Sequence, residues 1–180
     1  MKLPKQYSWL AKEAGPRILV EGLKTYGTSE KIGPGSNPTI LQWAKSIGYD
    51  RIYKDDATAW CGLWMGYTAL QAGWDAPLNL LGARNWLTFG TKQDEAALGD
   101  VLVFWRGSKS GWAGHVGIYA GEDAQAFHVL GGNQSDRVSF SRISKTRLLG
   151  IRRCPWRINQ PANVRPVWLS SSGALSTNEA

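Results

Sequence analysis

The feature that most constrains the fold of this chain is a change in its hydrophobic period near residue 99. Before that point apolar residues recur at helical spacing, and from Val101 onward they form short runs of strand length. Helices followed by several short strands are typical of an α+β domain, because a doubly wound sheet would alternate the two. The order of elements therefore predicts N-terminal helices packed on an antiparallel β-sheet.

Helices are predicted wherever apolar spacing coincides with capping residues. The predicted ranges are residues 16–27, 37–48 and 58–73, with a short helix near 83–89. Asn37 before Pro38 is a strong start signal for the second helix. The third helix, with Thr58 as its expected N-cap, is apolar nearly all round, which predicts a central, buried position.

Strands are predicted in the second half, and they end before a polar C-terminus. The predicted ranges are residues 101–105, 115–119, 126–130, 137–141 and 149–154. From about Asn159 the periodicity is lost, and a polar run begins at Ser170. The sequence therefore predicts one domain over residues 1–158 and a disordered polar tail over residues 159–180.

Length and composition fit one soluble domain that works without a disulfide framework. The 180 residues suffice for a single compact core. No stretch has the apolar length needed to span a bilayer, and the first residues are polar rather than signal-like. We therefore expect synthesis in the cytoplasm without a signal peptide and no stable membrane insertion. The two cysteines, Cys61 and Cys154, are too few for a disulfide scaffold and lack zinc-site spacing.

The net charge of +7 favours contact with an anionic polymer, for which nucleic acid, cell wall and acidic membrane surfaces all qualify. The basic residues cluster mainly between residues 137 and 157, and they do not alternate with aromatic residues as in nucleic-acid-binding domains. We therefore expect no nucleic-acid partner. The ten tryptophans suit core packing, and exposed ones suit stacking on sugars.

Cys61 is the candidate nucleophile because it lies in the first turn of the third predicted helix. A thiolate there is favoured by unpaired backbone N–H groups and by the positive end of the helix dipole. The Cys61 backbone N–H is a candidate oxyanion-hole donor. We expect Cys61 to be partly exposed and reactive and Cys154 to be inert. The alternative is that Cys61 is a small core residue of an apolar helix.

The chain has only two histidines as candidate bases. His115 opens a predicted strand after a glycine-containing loop, and His128 lies within the next strand. Either residue could instead be a structural hydrogen-bonding group. A third side chain should orient the base, and the candidates are Asn133, His128 and Gln134. Asn133 also fits a plain turn position.

Several segments, in this order along the chain, carry a family resemblance. They are Ala59-Trp60-Cys61-Gly62, Gly99-Asp100-Val101-Leu102-Val103 and Gly114-His115-Val116-Gly117-Ile118-Tyr119, followed by residues 129–136 and 148–153. With these motifs the chain resembles the CHAP family and its NlpC-type relatives, over about residues 9–156. The later segments are similar to a subgroup of phage and bacterial CHAP-like proteins.

The resemblance implies a papain-like α+β fold and a catalytic triad. Those families are cell-wall amidases and endopeptidases, with a cysteine at a helix start and a histidine at a strand start. By this resemblance Cys61 is the nucleophile and His115 is the general base. Asn133 then takes the orienting position, as in CHAP enzymes, with His128 as the alternative in the NlpC-type arrangement.

The resemblance also implies a reaction and a partner. The expected reaction is attack by Cys61 on an amide or peptide bond of the peptidoglycan stem peptide, followed by hydrolysis of the thioester. The expected protein is a monomeric, endolysin-like N-acetylmuramoyl-L-alanine amidase or endopeptidase that reaches the wall by phage release or bacterial delivery. Some CHAP enzymes bind calcium, but Asp50, Asp55 and Asp56 lack the spacing of a calcium loop, so we expect no metal and no cofactor.

Two other functions remain open on sequence grounds. A non-catalytic wall- or glycan-binding module would use exposed tryptophans and leave Cys61 merely packed. A papain-like protease acting on proteins would share the fold and the dyad, because a fold does not determine a substrate.

Overall fold

A computed structural model of the chain describes residues 2–156, 159–177 and 179, and predictions that fall on residues 1, 157, 158, 178 and 180 lie outside the described residues. The helical elements are the 3-10 helix Lys5–Lys12, α1 Arg17–Lys24, α2 Pro38–Ser46, α3 Cys61–Gln71 and the 3-10 helices Ala83–Thr88 and Lys145–Arg147. The predicted helices of the first half are therefore confirmed. Within the described chain, no helix has the length and apolarity that crossing a bilayer requires.

The helix starts show which local signals determine the structure. The side chain of Asn37 accepts a hydrogen bond from the Thr39 backbone N–H at 2.8 Å, as its capping role predicts. The start predicted for the third helix is wrong, because Trp60 rather than Thr58 is the N-cap of α3. The Thr58 carbonyl instead accepts from the Tyr53 hydroxyl at 2.9 Å. The shift makes Cys61 the first helical residue.

The strands described in the chain form one six-stranded antiparallel sheet in the order β1-β6-β2-β3-β4-β5. They are β1 Thr91–Gln93, β2 Val101–Trp105, β3 Gly114–Glu122, β4 Ala126–Gly131, β5 Ser139–Ser144 and β6 Leu148–Arg153. The sequence did not predict β1. The predicted start of β5 is wrong because Val138 bonds to the backbone of Gly27 and Thr28 instead of to the sheet.

Alternate residues of the strands face two separate apolar layers, as the two-residue period of a strand requires. The layer beneath the helices includes Val101, Val103, Val116, Ile118 and Leu130. The opposite layer includes Leu102, Phe104, Tyr119, Phe127 and Val129. Helix α3 is buried along most of its length against the first layer. The predicted α+β arrangement, with helices packed on an antiparallel sheet, is therefore confirmed.

The prediction of a disordered tail is wrong for residues 159–177 and 179. Leu169 N–H donates to the Glu122 carbonyl at 2.8 Å, and Glu122 N–H donates to the Val167 carbonyl at 2.8 Å. Val167 and Leu169 also pack against the core. The polar composition concealed these spaced apolar residues, which attach the tail to the end of β3.

Candidate active site

Helix α3 presents Cys61 in a crowded first turn. The next residue, Gly62, has no room for a side chain, because a Cβ atom there would overlap the carbonyl oxygens of Leu80 and Leu81. Cys61 is the first helical residue, a position whose N–H receives no acceptor from the helix itself. The local sequence therefore allows close packing around the cysteine and leaves a backbone donor beside its sulfur.

The Cys61 side chain lies against the start of β3 and is only 5% exposed. Burial raises the pKa of the Cys61 thiol, although the backbone N–H groups of Val116 and Gly62 and the charge of Arg106 act in the opposite direction. The expected partial exposure is therefore wrong, since the Cys61 side chain is buried. In this structure Cys61 is a neutral, covered thiol whose sulfur lies beside the residue that follows His115.

The His115 side chain is fully buried and is held by Gln134. Its Nε2 lies 3.1 Å from Oε1 of Gln134. The Gln134 amide nitrogen donates to the carbonyl oxygens of Val129 and Ser139, so its orientation is determined by two acceptors. Because Oε1 must then face the imidazole, Nε2 of His115 carries the proton and Nδ1 carries the lone pair.

This lone pair is the distinctive feature of the site. Nδ1 of His115 is buried and has no hydrogen-bond partner among the described residues. Burial lowers the pKa of His115 to about 4, although the Glu179 carboxylate and the Gln134 contact raise it. At neutral pH the imidazole is therefore an uncharged base with a free acceptor nitrogen.

The structure brings Cys61 and the β3 start together without joining the two side chains. Cys61 makes its contact with β3 through the Val116 backbone. No hydrogen bond connects Cys61 to His115 in the described part of the chain. The catalytic dyad itself therefore stays a prediction.

The expected contact between Asn133 and His115 is wrong, because Gln134 makes it. Asn133 has a φ of 57°, in a turn where Ser135 and Asp136 also adopt positive φ. This turn places the Gln134 side chain beside β4 and leaves Oδ1 of Asn133 buried without a partner among the described residues. Gln134 was one of the three candidates that the sequence indicated for the residue that orients the base.

The alternative orienting residue, His128, belongs to a different cluster. Its Nε2 lies 2.9 Å from the Asp123 carboxylate, and its Nδ1 lies 2.8 Å from the Tyr7 hydroxyl. Asp123 also pairs with Arg142 at 2.8 Å. Both nitrogens of His128 are therefore engaged, and it does not orient His115.

Sequence reasoning missed two charged residues near His115. Arg147 and Glu179 form a two-pronged ion pair with both N–O distances at 2.7 Å. The Glu179 carboxylate raises the pKa of the His115 imidazole, against the larger effect of burial. No signal predicted this pair, because Glu179 lies in the segment expected to be disordered.

The acidic residues upstream of Cys61 serve the neighbouring loop. Asp56 accepts backbone hydrogen bonds from Lys31 at 3.0 Å and Asn37 at 2.7 Å. Asp55 accepts one from Ala57 at 2.9 Å, and Asp50 is exposed. Across the described residues, no three His, Cys, Asp or Glu side chains are grouped as metal ligands would be.

The likeness of this chain to known proteins is distant and structural. No protein-family model matches the chain, and no curated protein matches it. Among solved structures, it is similar to a protein from Staphylococcus aureus described as "similar to lipoprotein, NLP/P60 family", with 20% identity and a TM-score of 0.44. The alignment covers 85% of this chain and 43% of that one, so this chain spans less than half of that protein. Its function therefore has to be argued from its own site.

Proposed function

We propose that this chain is a cysteine peptidoglycan hydrolase, which cleaves an amide or peptide bond of the stem peptide through a thioester on Cys61. The observation that carries the proposal is the fixed tautomer of His115. Gln134 holds the protonated Nε2, and Nδ1 keeps a buried, unpartnered lone pair. His115 is thus an uncharged base with a free nitrogen, on the strand whose next residue, Val116, contacts Cys61. A base and a cysteine at a helix start are the groups that acyl transfer requires.

The first chemical step is formation of the thioester. Because Cys61 and His115 are both neutral in this structure, the thiol proton passes to Nδ1 of His115 as the sulfur attacks the substrate carbonyl carbon. The carbon–nitrogen bond then breaks, and the imidazolium returns its proton to the leaving amine. Oε1 of Gln134 accepts a hydrogen bond from the Nε2–H group throughout, which preserves the ring orientation.

The second step is hydrolysis of the thioester. His115 removes a proton from water, the resulting hydroxide adds to the thioester carbon, and the Cys61 thiolate leaves and regains the proton. In both steps the carbonyl oxygen carries negative charge in the tetrahedral intermediate. The Cys61 N–H is the proposed donor to that oxygen, because an N–H at the first position of a helix is not used by the helix itself.

The charge of the protein supports an anionic polymer as the target. The net charge of +7 favours encounter with acidic wall polymers. Together with the motifs around Cys61 and His115, this supports peptidoglycan as partner, an endolysin-like role, and cleavage as an amidase or an endopeptidase. We propose a monomer that reaches the wall from the cytoplasm by release or delivery and needs no cofactor.

The test is digestion of purified peptidoglycan followed by mass spectrometry of the soluble products. We expect wild type and Cys154→Ser to release the same fragments, and Cys61→Ser and His115→Ala to release none above background. A new amino terminus within the peptide would identify an endopeptidase, and glycan freed from intact peptides would identify an amidase. Equal release by Cys61→Ser and wild type would refute the proposal.

A non-catalytic wall-binding module is the second candidate, favoured by two exposed tryptophans. Trp112 is 92% exposed and Trp168 is 69% exposed, and flat indole faces stack well on sugars. A binding module would sediment with purified peptidoglycan but release no soluble fragments. If Trp112→Ala no longer sediments with peptidoglycan but releases the same products, Trp112 contributes to wall binding and not to cleavage. Sedimentation of the wild type without any released products would support the binding module.

A further inference from the structure

We infer that Arg147 forms a carboxylate-binding subsite of the active site, which Glu179 occupies in this structure. The inference rests on the proposed function for the nature of its ligand, a peptide substrate with a free carboxylate near the scissile bond. It names a specificity-determining residue that none of the motifs indicated.

The Arg147 guanidinium is fixed by the main chain of the sheet. Its Nε and Nη2 donate to the Trp105 carbonyl at 3.1 and 3.0 Å. Trp105 is the last residue of β2 and lies opposite Gly114, the residue before His115. The sheet therefore positions the guanidinium at the strand ends next to the proposed base, through two hydrogen bonds that do not involve the C-terminal residues.

The ligand of Arg147 in this structure is a carboxylate in the geometry that a guanidinium recognises best. Both Glu179 oxygens accept from Arg147, each at 2.7 Å, and the Glu179 side chain is fully buried. Two parallel N–H to oxygen bonds are the arrangement that distinguishes arginine from lysine as a carboxylate receptor. Glu179 thus shows what chemical group this position accepts.

The segment that carries Glu179 is weakly attached. We call residues 173–177 and 179 the C-terminal strap. Ser176 N–H donates to the Arg142 carbonyl at 2.7 Å, Arg142 donates to the Gly173 carbonyl, and Arg147 donates to the Ser176 carbonyl at 3.3 Å. Glu179 is the buried residue of the strap, and the others are exposed or half-buried.

This pattern favours a displaceable strap over a structural one. A segment that stabilised the fold would bury apolar side chains, but Leu175, its large apolar residue, remains 40% exposed. The deeply inserted group is a charge, and removing it would leave a guanidinium that the Trp105 carbonyl still holds in place. When the strap moves away, the guanidinium is left to water, and an anionic group that replaces Glu179 restores the paired hydrogen bonds.

A peptide carboxylate is such an anionic group. Peptidoglycan stem peptides carry free carboxylates close to their amide bonds, and a substrate bound through Arg147 would place such an amide beside His115. The strap and the substrate would then compete for one guanidinium. We expect displacement of the strap to open the site, so that access to Cys61 is coupled to exchange of one carboxylate for another.

The first arm of the test measures the rate at which iodoacetamide labels Cys61, quantified by peptide mass spectrometry. Glu179→Gln keeps the shape of the side chain but removes its charge, and we expect labelling roughly tenfold faster than in wild type. Glu13→Gln is the matched control, because it removes the Arg165 contact at 3.1 Å elsewhere along the tail. It should label at the wild-type rate. Equal rates for Glu179→Gln and wild type at the same melting temperature would overturn the inference.

The second arm asks whether Arg147 takes an external carboxylate. Glutarate should slow labelling of Glu179→Gln severalfold, and the uncharged glutaramide should not. The double variant Glu179→Gln with Arg147→Gln carries no unpaired cation, so it should fold, label fast and show no protection by glutarate. Protection by both compounds, or protection that persists in the double variant, would overturn the subsite.

These readouts separate the subsite from the proposed reaction. If Glu179→Gln labels fast with protection by glutarate, but no variant degrades peptidoglycan, the subsite stands and the hydrolase proposal falls. If peptidoglycan is degraded and neither labelling nor protection responds to Glu179→Gln, the hydrolase proposal stands and the subsite falls.

Discussion

Two buried histidines on neighbouring strands differ in how many of their nitrogens are engaged. His128 on β4 bonds to Asp123 through Nε2 and to Tyr7 through Nδ1. His115 on β3 bonds to Gln134 through Nε2, and its Nδ1 has no partner among the described residues. Both side chains are fully buried. Burial therefore does not distinguish them, whereas the free nitrogen does.

The charges around the two histidines also differ. Asp123 touches His128 directly, and the Arg142 hydrogen bond lowers the pKa of that carboxyl. Burial lowers the pKa of His128, and Asp123 opposes this effect. His115 has a neutral amide as its bonded partner. His128 and Arg142, which both pair with Asp123, attach Tyr7 and Gly173 to the sheet. The neutral amide of Gln134 leaves the imidazole of His115 free to gain and lose a proton.

The largest effect that tests this comparison is expected for His115→Ala. Loss of the proposed general base should lower kcat/KM on solubilised peptidoglycan by roughly 10²–10⁴-fold. His128→Ala, scaled to the fraction of folded protein, should retain most of the activity. The assay is the release of new amino termini per folded enzyme. The comparison breaks if His128→Ala loses as much activity per folded molecule as His115→Ala.

The second effect is on stability and should have the reverse order. His128→Ala removes a buried partner of Asp123 and of Tyr7, which we expect to lower the free energy of unfolding by about 2–4 kcal/mol. His115→Ala loses one hydrogen bond, to Gln134, and should cost less. Urea unfolding at pH 7 followed by tryptophan fluorescence measures both. Equal losses of stability would mean that the bonding pattern does not separate the two roles.

The third effect concerns the residue that orients His115. Gln134→Ala should lower kcat roughly 10–100-fold, because the ring loses the acceptor that determines its tautomer. Gln134→Glu places a carboxylate at the same position and should raise the pKa of His115, which moves the acid limb of the pH–rate profile upward. Asn133→Ala should leave that limb unchanged. A displaced profile in Asn133→Ala and an unchanged one in Gln134→Glu would restore Asn133 as the orienting residue.

The smallest effect is a pH dependence of stability from His115. Its pKa is lowered to about 4 in the folded chain and is near its ordinary value when unfolded, so the unfolded state binds the proton first as the pH falls. Stability should therefore be lost between about pH 6.5 and 4, by about 1–2 kcal/mol at pH 5. His115→Gln should show a shallower slope in urea titrations over that range. Parallel slopes would show that His115 is not buried as a neutral base.

Local signals in the sequence predicted part of this molecule well. Asn37 before Pro38 starts α2 because a cap depends only on neighbouring residues. The apolar run of Val101–Trp105 forms β2 as expected. Cys61 and His115 were also correctly placed at the starts of a helix and a strand, since helical spacing and turn residues mark those positions.

The parts of the fold and of the site that the sequence did not predict depend on contacts between distant residues. The choice between Asn133 and Gln134 depends on a positive-φ turn, which directs neighbouring side chains to different places. Glu179 meets Arg147 across 32 positions of the chain, a pairing that no local pattern encodes. The tail is attached through Val167 and Leu169, whose burial depends on the end of β3.

The central claim is that Cys61 becomes acylated, and the most direct measurement is detection of that thioester. The protein is mixed with a soluble stem-peptide fragment, quenched in acid and mapped by peptide mass spectrometry. We predict an added acyl mass on the peptide that contains Cys61, absent in Cys61→Ser and strongly reduced in His115→Ala. An adduct on Cys154, or product formation by Cys61→Ser at the wild-type rate, would contradict the account.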